Sequence, residues 1–134
     1  MTGTACDTSV LVPGLSSWHP VHDRCRAALA EVTDVPLHVL IESYSVLTRL
    51  PSPHRVIASA AAEVLNELSL EVASLSGAQS RDLVTTWARH EIAGGAAYDA
   101  LVGVTAREHG LHLLTRDRRA RTTYEALGVA YTLV

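Results

Sequence analysis

Short β-prone runs alternate with helix-length runs from one end of this chain to the other, and that alternation constrains the fold more than any other feature. Strands joined by a connection of helix length pair side by side in parallel, whereas a tight turn would pair them antiparallel. Thr4 to Asp7 reads as a short, weakly apolar first strand. Residues 8 to 20, with Pro13, Gly14 and Trp18, suggest an irregular excursion. Val21, Cys25, Ala28, Leu29 and Val32 recur at helical spacing and predict a helix over 20–32, with Pro20 in its first turn. A short strand over 35–37 and a helix over 39–50 follow, the latter stopped by Pro51 and Pro53. An alanine-rich helix is expected over 54–68 and a strand over 70–75. Ser76 reads as the N-cap of a helix running to about Ile92, which Gly94-Gly95 breaks. Residues 96–109 predict a helix apolar on most sides, and therefore buried, ended by Gly110. A strand over 111–115, a helix over 118–127 ended by Gly128 and a last strand over 129–133 complete the series. The economical architecture is a three-layer α/β/α domain with a mainly parallel central sheet.

The 134 residues suit one domain, 1–134, long enough to bury a core without disulfides. No apolar stretch approaches a membrane span, and the N-terminus lacks the basic and apolar regions of a signal peptide. A cytoplasmic location, away from any membrane, is the expectation. Cys6 and Cys25 are too few for a disulfide framework and read as a small strand residue and a helix core position.

Four acids punctuate this pattern. Asp7 closes Thr4-Ala5-Cys6, Glu42 follows Val39-Leu40-Ile41, Asp99 opens the apolar helix, and Asp117 follows Leu113-Leu114-Thr115. In a parallel sheet, ligands collect beyond the carboxyl ends of the strands. Four carboxylates meeting there would repel one another strongly in a partly desolvated site. A hard divalent cation is the simplest relief, and Mg²⁺ held by carboxylates and water is the chemistry of phosphodiester cleavage. Each acid alone has a plainer reading. Asp7 and Asp117 could merely cap helices, Asp99 could serve the helix dipole, and Glu42 could lie on a solvated helix face. Their convergence at one sheet edge is what points to a site.

The net charge is −3, yet all eleven basic residues are arginines, and Arg116, Arg118, Arg119 and Arg121 surround Asp117. Such a run is either a solvated face or a contact for a phosphate backbone. The spacings His19-x-x-His22 and His109-x-x-His112 are loose for zinc and lack a cysteine pair or an HExxH pattern. No G-x-S-x-G elbow and no phosphate loop occurs, and the absence of lysine also argues against a receiver domain.

With these residues in view, the chain resembles the PIN domain, and specifically the VapC toxins of bacterial toxin–antitoxin pairs. The resemblance rests on Cys-Asp-Thr-Ser at 6–9, Ile-Glu-Ser-Tyr-Ser-Val-Leu-Thr-Arg-Leu-Pro at 41–51, Tyr-Asp-Ala-Leu-Val at 98–102 and Leu-Leu-Thr-Arg-Asp at 113–117. It spans nearly the whole chain. It implies a Mg²⁺- or Mn²⁺-dependent endoribonuclease that cuts structured RNA, tRNA or ribosomal RNA, and so inhibits translation. Asp7, Glu42, Asp99 and Asp117 resemble the metal-binding acids. On this reading Asp7 and Asp99 contact the main ion, while Glu42 and Asp117 hold waters or a second ion. Ser9 and Thr115 resemble the supporting hydroxyls, and Arg116 would grip the RNA. A VapB-type antitoxin as inhibitor and a homodimer are further implications. Leu11 to Trp18 and the helix after His54 either line the antitoxin groove or complete the core. The alternative is a non-catalytic regulator of the same fold that binds an antitoxin-like partner and cuts nothing; four intact acids argue against it.

Overall fold

A computed structural model describes residues 3–134. Five short strands, β1 (Thr4–Cys6), β2 (Asp34–Pro36), β3 (Glu71–Ala73), β4 (His112–Thr115) and β5 (Tyr131–Leu133), alternate with eight helices. These are α1 (Thr8–Leu15), α2 (His22–Leu29), α3 (Leu37–Arg49), α4 (Ala58–Glu67), α5 (Gly77–Ser80), α6 (Leu83–Arg89), α7 (Ala96–Glu108) and α8 (Arg121–Ala126). Every strand pair is parallel. One ladder runs β1-β4-β5 and another β2-β3. The two meet at Thr33, whose N–H donates to the Thr4 carbonyl at 2.8 Å while its own carbonyl accepts from Glu71 at 3.1 Å. The strand order is therefore β3-β2-β1-β4-β5, flanked by helices as the alternation predicts.

Two elements differ from the sequence reading. Residues 8–15 form a helix, although Pro13 removes one of its hydrogen-bond donors. Asp7 caps it by accepting from the Ser9 N–H, and Ser16 closes it by donating from its hydroxyl to the Val12 carbonyl at 2.7 Å. Gly14 is what lets this helix lie close to α2: a Cβ there would stand 2.4 Å from Leu29 Cδ1. The glycine that reads as loop punctuation is a contact surface. The helix expected from Ser76 to Ile92 is instead two. Ser76 does cap α5 in a reciprocal capping box with Gln79, but α5 buries nothing, whereas α6 turns to bury Trp87.

The core is built from Ala5 and Cys6 on β1, Val10 and Leu11 on α1, Val39 on α3, and Leu113 and Leu114 on β4. Cys25 is fully buried, in line with a helix core position, and both cysteines are free. Helix α7 buries Ala100 and residues 102–106. Gly103 at its centre faces the fully buried Tyr124, since a Cβ would stand 2.9 Å from Tyr124 Cδ1 and 2.9 Å from Val129 Cγ2. Neither neighbour can yield without repacking. Gly103→Ala is therefore expected to destabilise the protein by about 1–3 kcal/mol despite the better helix propensity of alanine, measured as a lowered urea midpoint. An unchanged or raised midpoint would show that this contact is slack.

Candidate active site

Residue Asp7 follows the last residue of β1, and its N–H continues the parallel ladder by donating to the Leu114 carbonyl at 3.1 Å. Its side chain points into the protein and is 6% exposed. Oδ1 accepts from the N–H of Ser9 at 3.0 Å and from the Ser9 hydroxyl. Oδ2 accepts from the Thr115 hydroxyl and from the Tyr124 hydroxyl at 2.9 Å. All four donors are neutral, and together they fill the ordinary lone-pair sites of a carboxylate. Ser9 Oγ accepts in turn from the Arg116 N–H at 2.7 Å, and Thr115 Oγ1 from the Asp117 N–H at 3.1 Å. The ends of β1 and β4 are thereby locked together.

The other three acids arrive on separate elements. Glu42 lies on α3 with His38 one turn before it, His38 Nε2 standing 3.4 Å from Glu42 Oε2. Asp99 lies in the first turn of α7. Asp117 follows β4, where its Oδ1 accepts from the Arg119 N–H at 3.0 Å. All four line one pocket that opens to solvent, with Thr8, Ser9, His38, Tyr98 and Val102 completing the wall. No basic side chain other than His38 lines it.

Burial raises the Asp7 carboxyl above its usual value, against the pull of the hydrogen bonds from Ser9, Thr115 and Tyr124. Asp99, half buried, is pushed up to about 6 by desolvation first and then by Asp117, Asp7 and Glu42. The Tyr124 phenol is pushed well up by burial and by Asp7, so it remains a donor.

The donor set suits a hard cation: carboxylate oxygens from four elements, mutually repelling, around a solvent-connected space. Among the described residues, no group of three or more His, Cys, Asp or Glu is placed to hold an ion by side chains alone. An ion that retains several waters fits this spacing, because Mg²⁺ is commonly held by one or two carboxylates and water.

Several expectations are redistributed. Arg116 contributes its main-chain N–H to the site. Arg118 and Arg119 are exposed, and Arg121 is tied to the Tyr131 hydroxyl at 3.3 Å. The histidines bond elsewhere: His22 to the Pro13 carbonyl, His109 to the Ser74 carbonyl and His112 to the Thr132 hydroxyl. The stretch from Leu11 to Trp18 divides, Leu11 being core and Trp18 44% exposed and stacked on His54 at 4.0 Å. Tyr124, His38 and Tyr98 were not singled out from the sequence. Tyr124 carries only a weak signal, a polar-tipped aromatic in the helix after the fourth acid.

Metal-free protein should lose stability as pH rises. Asp99 and Asp7 are both raised in the folded state, so between the ordinary carboxyl value and about 6 the folded chain binds more protons than the unfolded chain. Urea midpoints in chelator should fall from about pH 4 to about pH 7, and Asp99→Asn should flatten the fall. A profile that rises across this window in both proteins would refute the crowding of these carboxyls.

A family profile described as PIN domain matches residues 5–126. Ribonuclease VapC40 of Mycobacterium tuberculosis is 46% identical over 131 residues, covering 97% of this chain and 98% of that protein. Ribonuclease VapC27 of the same organism is 44% identical over 127 residues, covering 93% and 92%. In three dimensions the chain superposes on M. tuberculosis VapC20, a sarcin–ricin loop cleaving toxin, with a TM-score of 0.72 at 20% identity, covering 96% and 97%.

Proposed function

Because the chain belongs to the PIN-domain family, among relatives named VapC ribonucleases, we propose that it is the endoribonuclease toxin of a toxin–antitoxin pair. The observation that carries the reading is the lining of one pocket by Asp7, Glu42, Asp99 and Asp117. The substrate is structured RNA, transfer or ribosomal, cut to stop translation, and a VapB-type antitoxin restrains the enzyme. Homodimerisation and a cytoplasmic site of action belong to the same reading.

Mg²⁺ or Mn²⁺, held by Asp7 and Asp99 with Glu42 and Asp117 supporting its waters or a second ion, would supply the positive charge that acidifies water and steadies the leaving oxygen. The chain's own part is positioning. Asp7 is fixed by Ser9, Thr115 and Tyr124. Ser9 is its replaceable donor, because Ser9 Oγ also accepts from Arg116 and keeps that partner if its hydroxyl turns away. In the metal-free protein the Asp99 carboxyl is pushed up to about 6, and a bound cation would favour its full carboxylate form. Water then attacks phosphorus, the bond to the ribose leaving oxygen breaks, and that oxygen takes up a proton. No side-chain nucleophile is required. The exposed Arg118 and Arg119, with Arg116, can hold the phosphate backbone on the β4 side, so binding should weaken with salt.

Asp7→Asn and Asp99→Asn should each lower RNA cleavage by at least about a hundredfold while leaving the protein folded. Asp99→Asn should be slightly stabilised because a repelling charge is removed, whereas Asp7→Asn turns one acceptor oxygen into an amide donor facing Ser9 or Thr115 and Tyr124 and should gain nothing. Chelation should stop cleavage and Mg²⁺ or Mn²⁺ should restore it. Sequencing of new 5′ ends after induction in cells, against an Asp7→Asn control, checks both activity and target. Cleavage by either freshly purified, metal-loaded variant at the parent's rate would remove these residues from the site.

A further inference from the structure

We propose that Tyr98, backed by His38, is a platform on which an unpaired RNA base beside the scissile phosphate stacks, and that it thereby helps select where the chain cuts. The proposal rests on the ribonuclease reading above. Tyr98 immediately precedes Asp99 on α7, and both side chains line the acid pocket. Its ring lies nearly parallel to the His38 imidazole, with centroids 5.3 Å apart and an interplanar angle of 8°. His38 is in turn held one helical turn from Glu42, with Nε2 3.4 Å from Oε2. The imidazole therefore backs the Tyr98 ring, and the stacked pair is registered to two of the four acids.

Tyr98 is 58% exposed, while the residues that follow it on α7 supply the core. Packing does not explain a large aromatic left in solvent at the mouth of a charged pocket. Electrostatics supplies a reason. The pocket is lined by four carboxylates and no arginine, and the chain contains no lysine. Arg119, with Nε 3.8 Å from Asp117 Oδ1, serves the β4 side, but on the α3 and α7 side the protein itself repels a phosphodiester, so there local affinity beyond the cation must come from the uncharged parts of the nucleotide. Base–aromatic stacking supplies it and requires an unstacked base, as in a loop.

The test uses the full chain with Mg²⁺ or Mn²⁺ and hairpin RNAs with loops of randomised sequence. The cut is mapped on a hairpin the parent cleaves, and that hairpin is remade with an abasic ribose at each nucleotide flanking the cut. The parent should lose about 5- to 100-fold in kcat/KM at one of the two positions. Tyr98→Leu should show a loss of similar size on the intact hairpin, mainly through KM, and little further loss on the abasic one. Tyr98→Phe should recover most of the parent's rate on the intact hairpin. Tyr98→Leu cutting the intact hairpin like the parent would overturn the proposal. So would an abasic penalty that persists undiminished in Tyr98→Leu, which would mean that the side chain acts only by supporting α7, and so would a parent indifferent to both abasic positions. A parent that cuts no hairpin would instead bring down the ribonuclease reading, and this proposal with it.

Discussion

A single buried carboxylate holds the acid-lined end of this molecule together. Asp7 ends β1, caps α1, and accepts from Ser9, from Thr115 at the end of β4 and from Tyr124 in α8. Burying a carboxylate is costly unless its oxygens are satisfied, and here they are satisfied entirely by hydroxyls and one main-chain N–H. Had an arginine been the partner, the charge would have been neutralised within the protein. Neutral donors fix the geometry but leave the net negative charge in place. That charge joins those of Asp99, Asp117 and Glu42 across the pocket, and the raised Asp99 carboxyl reflects their combined pressure. A cation would thus meet a geometry already determined by hydrogen bonds and a negative charge that the exposed Arg119, 3.8 Å from Asp117, offsets only at one edge.

The parallel sheet was readable because its cause is local: each strand is followed by a connection too long for a hairpin. The buried helix over 96–108 was equally plain from its apolar composition. The misreadings have a common origin in contacts between distant segments. Nothing near Gly14 says that Leu29 will lie against it, so Pro13 and Gly14 looked like a loop. Likewise, nothing near Arg81 says that only the second half of the segment after Ser76 will find a core to enter. Among the acids, strand-end position could be inferred because it follows from the strand pattern. The pocket wall contributed by His38 and Tyr98 depends on how α3 and α7 pack, and Tyr124 reaches Asp7 from 117 positions away in sequence. The arginine run illustrates the opposite limit. A cluster in sequence becomes four different situations in space, with the Arg116 N–H bonded to Ser9, Arg118 exposed, Arg119 exposed with its Nε 3.8 Å from Asp117, and Arg121 tied to Tyr131.

Gly103 and Tyr124 extend the site backwards into the core. The tyrosine that steadies Asp7 is seated against a helix that can accept it only where a side chain is missing. Accuracy at the pocket is therefore inherited from packing on its hidden side.

The sheet itself is two ladders meeting at Thr33, where a main-chain bond to the Thr4 carbonyl and side-chain bonds between the Thr33 hydroxyl and Thr4 span the seam. Asp7 and Asp117 follow strands of one ladder, and Glu42 rides on the helix that follows a strand of the other. The reach from Glu42 to the Asp7–Asp117 pair thus crosses the seam and is set by the bonds between Thr33 and Thr4, whereas the pair itself is registered within a single ladder.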